Sequence, residues 1–152
     1  MDDFKRILVV TRSMKHCRKA VHYGVSLAQR YGAELCVMHV MHDPFGLEGW
    51  FLPIPSLRIL EESYRKVQLE AKADMDKIIA LEKGRGMKIK ELIRQGSFAD
   101  EIFKVVEEEK IDLIVMLSHE EGRIEHFLYG HDNDKVIRRM PCSILLVKEK
   151  LF

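Results

Sequence analysis

Residues 111–147 decide the fold, and they read IDLIVMLSHEEGRIEHFLYGHDNDKVIRRMPCSILLV. The run 111–117 is almost wholly apolar, as in a strand that is buried on both faces of a sheet. The segment from Asp132 is charged and helix-compatible, and Pro141 ends it. A second apolar strand follows from Ser143 to Val147. Two strands that are joined through a helix predict a parallel β-α-β unit.

The polar loop from Ser118 to Glu125 directly follows the first strand of this unit. In open α/β sheets, ligands bind in the crevice beyond the carboxyl ends of the strands. We therefore expect any small-molecule site of this protein to include that loop.

Three more strands are predicted along the chain, at Lys5–Thr11, Ala33–Met41 and Lys88–Arg94, the last as a half-exposed edge strand. Five strands alternating with four helices predict one α/β domain over residues 1–152. Its sheet should be mainly parallel, in the order 3-2-1-4-5, with helices on both faces. The switch point between the first and fourth strands would place Thr11–Met14 beside Ser118–Gly130.

The helices are predicted from apolar residues at spacings of three and four. Ser13 and Ser97 are candidate N-caps, Gly32 is a candidate C-terminal stop, and a long helix is expected from Ser56 to about Glu82. The predicted inward residues are Cys17, Ala20, Val21, Gly24, Leu27, Ala28, Tyr31, then Leu60, Tyr64, Val67, Ala71, Met75, Ile78, Leu81, and finally Val136, Ile137 and Met140.

Composition restricts the class of protein. Of the 152 residues, 47% are hydrophobic and 32% are charged, with a formal net charge of +1. This balance gives no support for nucleic-acid binding, which favours a strongly basic face. No apolar run is long enough to cross a bilayer, and the first residues do not resemble a signal peptide. The three cysteines are widely spaced, so we expect free thiols in a reducing cytoplasm.

The segment from Pro44 to Pro55 is unusually apolar and rich in proline, which argues against helix. It could fold back and bury its own aromatic rings, or it could form a lid or a surface for a partner protein. The sequence leaves both interpretations open.

The sequence gives little support for a metal site or for a catalytic site. The histidines at 119, 126 and 131 match no ligand spacing, so we expect no metal, and a metal-dependent hydrolase is a weak third hypothesis. His39 should be a hydrogen-bonded filler, and Cys17 and Cys36 should be inert core thiols. No Ser-His-Asp arrangement can be placed, and neither the P-loop nor the G-x-G-x-x-G pattern occurs. We therefore expect no catalytic residues and, more generally, no enzyme.

Nearly the whole chain resembles the universal stress protein family. The resemblance is carried by ILVVTRSMKHCRKAVHYGVSLAQRYGAELCVMHVM, by GSFADEIFKVVEEEKIDLIVMLSH and by VIRRMPCSILLV. It implies a Rossmann-like, adenine nucleotide alpha hydrolase-like fold. It also implies a dimer through the last strand, Ser143 to Val147.

The same resemblance implies a set of nucleotide-binding residues. In nucleotide-binding members, the loop after the fourth strand reads Gly, two residues, Gly, nine residues, then Gly-Ser or Gly-Thr. Glycines there allow close approach of backbone N–H groups to phosphates. The matching positions here are Thr11, Val40, Ser118, His119, Gly130 and His131.

This chain departs from the family pattern at several of those places. Leu117 and Glu120 stand where glycines are expected, His131 stands at the hydroxyl position, and Arg12 replaces an acidic residue. We therefore expect a dimeric regulatory domain that acts through protein contacts, with weak or no ATP binding and no cofactor. The alternative is a sensor that binds ATP or AMP and hydrolyses ATP slowly at most.

Overall fold

The computed structural model describes residues 3–12, 17–41, 54–82, 86–118 and 133–148. Several sequence predictions fall outside these residues. They concern the Pro44–Pro55 segment as far as residue 53 and the loop that follows Ser118. The prediction that Ser13 caps the first helix is wrong, because that helix begins at Arg18 and Cys17 is its N-cap residue.

Five strands form one sheet in the order β3-β2-β1-β4-β5, and every neighbouring pair is parallel. This confirms the predicted order. The strands are β1 (Arg6–Thr11), β2 (Glu34–Met41), β3 (Ile89–Gln95), β4 (Leu113–Ser118) and β5 (Ser143–Lys148). The helices are α1 (Arg18–Tyr31), α2 (Ile54–Glu82), α3 (Phe98–Glu108) and α4 (residues 133–139).

Both faces of the sheet are covered, because alternate residues of each buried strand point to opposite sides. Ile7 and Val9 of β1 face the core that α1 and α2 complete, whereas Leu8 and Val10 face the core that α3 and α4 complete. Since a parallel sheet buries both faces, the central strands read as continuous apolar runs rather than as an alternation.

Gly24 sets how closely α1 approaches the sheet. A Cβ atom at this position would overlap Val9 Cγ2 and would lie 3.5 Å from Leu35 Cδ1. The absence of a side chain therefore allows the helix to pack directly on β1 and β2. At the end of α1, Gly32 has φ +64, the left-handed conformation that was expected of its C-terminal stop.

The start of α2 was predicted wrongly. The helix begins at Ile54 rather than at Ser56, so it includes Pro55 in its first turn. Proline is compatible with that turn because the first N–H groups of a helix have no partner within it.

Four residues predicted to face inward are exposed: Tyr31 (43%), Val67 (53%), Leu81 (66%) and Met140 (58%). A helix as long as α2 extends about 43 Å, far beyond strands of about 20–27 Å, so only part of it can pack on the sheet.

The buried line of α2 runs through Ala71, Met75 and Ile79, four residues apart, which excludes Leu81. Met140 follows the end of α4 with φ 48, and this left-handed turn leaves its side chain outside the core. Val136, in contrast, is fully buried as predicted.

None of the helices in the described part of the chain is long and apolar enough to cross a membrane.

Candidate functional site

The central strands separate at the carboxyl edge of the sheet. Pairing of β1 with β4 runs from Ile7 opposite Leu113 to Val9 opposite Val115. The outer pairings continue further. β1 stays paired with β2 as far as Thr11 opposite His39, and β4 stays paired with β5 as far as Ser118 opposite Lys148. The sheet therefore opens between the ends of β1 and β4. This opening, called here the switch-point crevice, is where ligands bind in folds of this kind.

Arg12, the residue after β1, lies at this crevice and contacts one side chain from each of two helices. Its guanidinium carbon stands 3.6 Å from the centre of the Phe98 ring, at the start of α3. Its Nη2 donates a hydrogen bond of 3.0 Å to Oδ1 of Asn133, the first described residue of α4. A guanidinium can make both contacts at once because it is planar and carries its donors at its edge.

Asn133 extends the connection to β4. Its Nδ2 donates to the carbonyl oxygen of Leu117 over 3.2 Å. The two hydrogen bonds of this amide therefore link the residue after β1, the start of α4 and the end of β4 across the crevice.

Thr11 is buried and already engaged within the protein. Its Oγ1 donates to the Met38 carbonyl over 3.3 Å and lies 3.2 Å from Nδ1 of His39. Burial lowers the pKa of His39, and a hydrogen bond to the Thr11 backbone opposes part of that change. His39 is thus the buried, hydrogen-bonded filler that the sequence predicts.

Thr11 and Val40 face opposite sides of the sheet. Val40 is 5% exposed and belongs to the core beneath α3. Thr11 follows Ile7 and Val9 at intervals of two residues along β1, so its side chain points to the same face of the sheet, towards α1. A ligand on one face of the sheet could therefore contact the side chain of only one of these two residues.

Ser118 ends β4, and its Oγ donates a long hydrogen bond of 3.4 Å to the carbonyl of Val147. The hydroxyl is only partly buried. His119, Gly130 and His131, the other predicted nucleotide-binding residues, lie outside the described residues.

The sequence identifies Arg12 as a departure from the family pattern and as a positive charge near the predicted loop, but it does not predict Phe98 and Asn133 as its partners. A polar residue at the start of the predicted fourth helix was the one available signal for Asn133. Nothing in the sequence joins it to Arg12.

The thiols of Cys36 and Cys142 show no sign of activation. Burial raises the pKa of Cys36, and burial with the nearby Asp112 carboxylate raises the pKa of Cys142 to about 11. Both stay protonated at neutral pH and are poor nucleophiles. Within the described ranges, no three His, Cys, Asp or Glu side chains are grouped so that they could hold a metal ion.

Comparison with known proteins agrees with the fold. The model of the universal stress protein family matches residues 3–148. A universal stress protein of Methanothermobacter thermautotrophicus is 35% identical over 147 residues, which cover 95% of this chain and 96% of that protein.

Solved structures give the same result. Protein MJ0577, a Methanocaldococcus jannaschii universal stress protein, superimposes with a TM-score of 0.77 at 26% identity, over 99% of this chain and 100% of the other. The Archaeoglobus fulgidus universal stress protein in complex with dAMP shares the fold, with a TM-score of 0.59 at 15% identity over 97% and 100% of the two chains. With its parallel sheet, strand order and family match, the chain belongs to the universal stress protein family.

Proposed function

We propose that this stress-response domain is regulatory, acts through protein contacts, and holds ATP weakly or not at all. The observation that carries the proposal is the bridge across the switch-point crevice. Arg12 stacks on Phe98 and is hydrogen-bonded to Asn133, so protein side chains already span the place where a ligand would enter.

The altered loop supports the same conclusion. Side chains at Leu117 and Glu120 oppose the close backbone approach that glycine gives to phosphates. Glu120 and Glu121 add negative charge to this loop, and like charges a few ångströms apart cost roughly 1–4 kcal/mol. His131 replaces the hydroxyl donor. A triphosphate, with several negative charges, would meet all of these obstacles.

The alternative is a sensor of AMP-type nucleotides, which carry a single phosphate. It is supported by the dAMP-bound Archaeoglobus fulgidus protein of the same fold. The binding residues would then be those predicted from the family motif, namely Thr11, Val40, Ser118, His119, Gly130 and His131. The positive charge of Arg12 could offset part of the phosphate charge.

A homodimer through the last strand forms part of the proposal. β5 lies at an edge of the sheet and pairs with β4 alone among the described strands. Its Leu146 side chain is 42% exposed. A short apolar edge strand favours pairing with a second copy. The Pro44–Pro55 segment is a second candidate surface for a partner, and the cytoplasmic setting remains a prediction from cysteine usage.

Restoring the family motif tests the proposal. ATP binding should be measured by titration calorimetry for the original protein and for the variant L117G/E120G/H131S. We expect weak or no binding by the original protein and a clear gain by the variant. A suitable control is L117G/E121G/H131S, which removes the same charge and adds the same glycines, but leaves Glu120 at the motif position.

Two results would contradict the proposal. Tight binding of ATP by the original protein would show that the altered loop is no obstacle. Equal gains by the variant and its control would show that the glycine spacing is not what matters.

A further inference from the structure

The switch-point crevice has a definite boundary on each side. On one side is the end of β1, which stays paired to β2 as far as Thr11. On the other is the end of β4, which stays paired to β5 as far as Ser118. Between them, pairing of β1 with β4 ends at Val9 and Val115.

A series of side-chain contacts crosses the crevice from one side to the other. From the β1 side, the Arg12 guanidinium donates to Asn133, and Asn133 donates to the Leu117 carbonyl on the β4 side. Phe98 holds the guanidinium from a third direction, through the face of its ring. Phe98 is itself 7% exposed and packed in the core, so the ring is a fixed support.

We propose that Arg12 is a latch that keeps the crevice closed to adenine nucleosides and nucleotides. A ligand enters only when the guanidinium leaves Phe98 and Asn133. This inference rests on the proposed function and deepens it, because it names the residue through which the site is held closed. It makes Arg12 a specificity-determining residue rather than a binding residue.

The latch acts by lowering the fraction of molecules that can bind. The apparent dissociation constant of a ligand rises in proportion as the open fraction falls. Releasing the contacts of Arg12 with Phe98 and Asn133 should therefore raise affinity about tenfold, which corresponds to about 1.4 kcal/mol.

A latch can be distinguished from a simple effect of charge. If Arg12 acted only as a positive charge, removing it would weaken the binding of AMP and leave neutral adenosine unchanged. If Arg12 closes the crevice, its removal should strengthen the binding of adenosine, which carries no charge for it to attract or repel.

The experiment measures the dissociation constants of adenosine and AMP for the original protein and three variants. Arg12→Ala removes the latch, and Asn133→Ala removes the hydrogen bond that anchors it to α4. Arg139→Ala is the matched control, because Arg139 stacks 4.3 Å from the centre of Phe103 on the same helix α3, from the far end of α4. Circular dichroism and thermal unfolding confirm that each variant is folded.

We expect Arg12→Ala to bind adenosine about tenfold or more tightly than the original protein, Asn133→Ala to show a smaller gain, and Arg139→Ala to show none. The proposal is overturned if adenosine binding is unchanged or absent in both latch variants, or if the control gains as much. Tight ATP binding by the original protein would overturn the proposed function and the latch together, whereas unchanged adenosine binding in both latch variants would overturn the latch alone.

Discussion

The guanidinium of Arg12 donates a hydrogen bond of 3.0 Å to Oδ1 of Asn133, a residue 121 positions further along the chain. The bond joins the end of β1 to the start of α4, and the same amide joins α4 to the Leu117 carbonyl at the end of β4. One asparagine therefore holds together three segments that border the switch-point crevice.

Asn133→Ala should lower the free energy of unfolding by about 1 to 2 kcal/mol, because two partly buried hydrogen bonds are lost, one of them to a charged donor. Urea denaturation measures the change. Lys135→Ala, an exposed position on the same helix, should change stability by less than about 0.5 kcal/mol. Equal effects of the two substitutions would show that the bridge contributes no stability.

Gly24→Ala should destabilise the protein by about 1 to 3 kcal/mol, because the added methyl group overlaps Val9 Cγ2. Guanidinium denaturation of the single variants and of Gly24→Ala/Val9→Ala forms a double-mutant cycle. Val9→Ala removes Cγ2, the atom that the new methyl group would overlap. The double variant should therefore be more stable than the sum of the single effects predicts. Simple additivity would argue against this close approach of α1 to β1.

The buried imidazole of His39 should make stability depend on pH. Burial lowers its pKa below the ordinary 6.5, so the unfolded chain takes up a proton at a higher pH than the folded protein does. The contribution of the neutral His39 ring to the free energy of unfolding is therefore fully present above about pH 6.5, and it is lost as the pH falls below that value.

His39→Gln should remove this dependence. The free energy of unfolding of the original protein, relative to the variant, should decrease from about pH 7.5 to about pH 5.5. Thr11→Val retains His39 and should retain the dependence. Parallel pH curves for the original protein and His39→Gln would rule out this explanation.

Leu146→Glu should convert a homodimer to monomers, because it places a charge on the apolar edge strand β5. Sedimentation velocity measures the oligomeric state. Leu81→Glu is the matched control, since Leu81 is 66% exposed at the end of α2 and Leu146 is 42% exposed on β5. A monomeric original protein, or a dimer that survives Leu146→Glu, would contradict pairing through the last strand.

The sheet could be predicted from sequence because each strand carries its own signal. Runs such as residues 111–117 are almost wholly apolar, and helices separate them, so the parallel order follows from general rules of chain connection. Gly32 was identifiable for a similar local reason, since a glycine after an apolar helical stripe favours a left-handed stop.

Other features depend on contacts that no local pattern contains. Val67 continues the apolar stripe of α2, yet it is exposed because the helix extends beyond the strands of the sheet. The contacts of Arg12 with Phe98 and Asn133 join residues far apart in the chain, and they exist only once the carboxyl ends of the strands are assembled. The motif positions were predictable from family resemblance, whereas the bridge across the crevice was not.

Thermal unfolding with and without millimolar Mg-ATP, ADP and AMP is the most direct test of the central claim, that the crevice is closed to nucleotides. A ligand at about 100 times its Kd stabilises by about 2.7 kcal/mol, a rise in Tm of roughly 5 to 10 °C for a chain of this length. We expect no shift with ATP or ADP and little with AMP. A clear shift that requires the adenine base would contradict the closure of the crevice and would identify the domain as a nucleotide sensor.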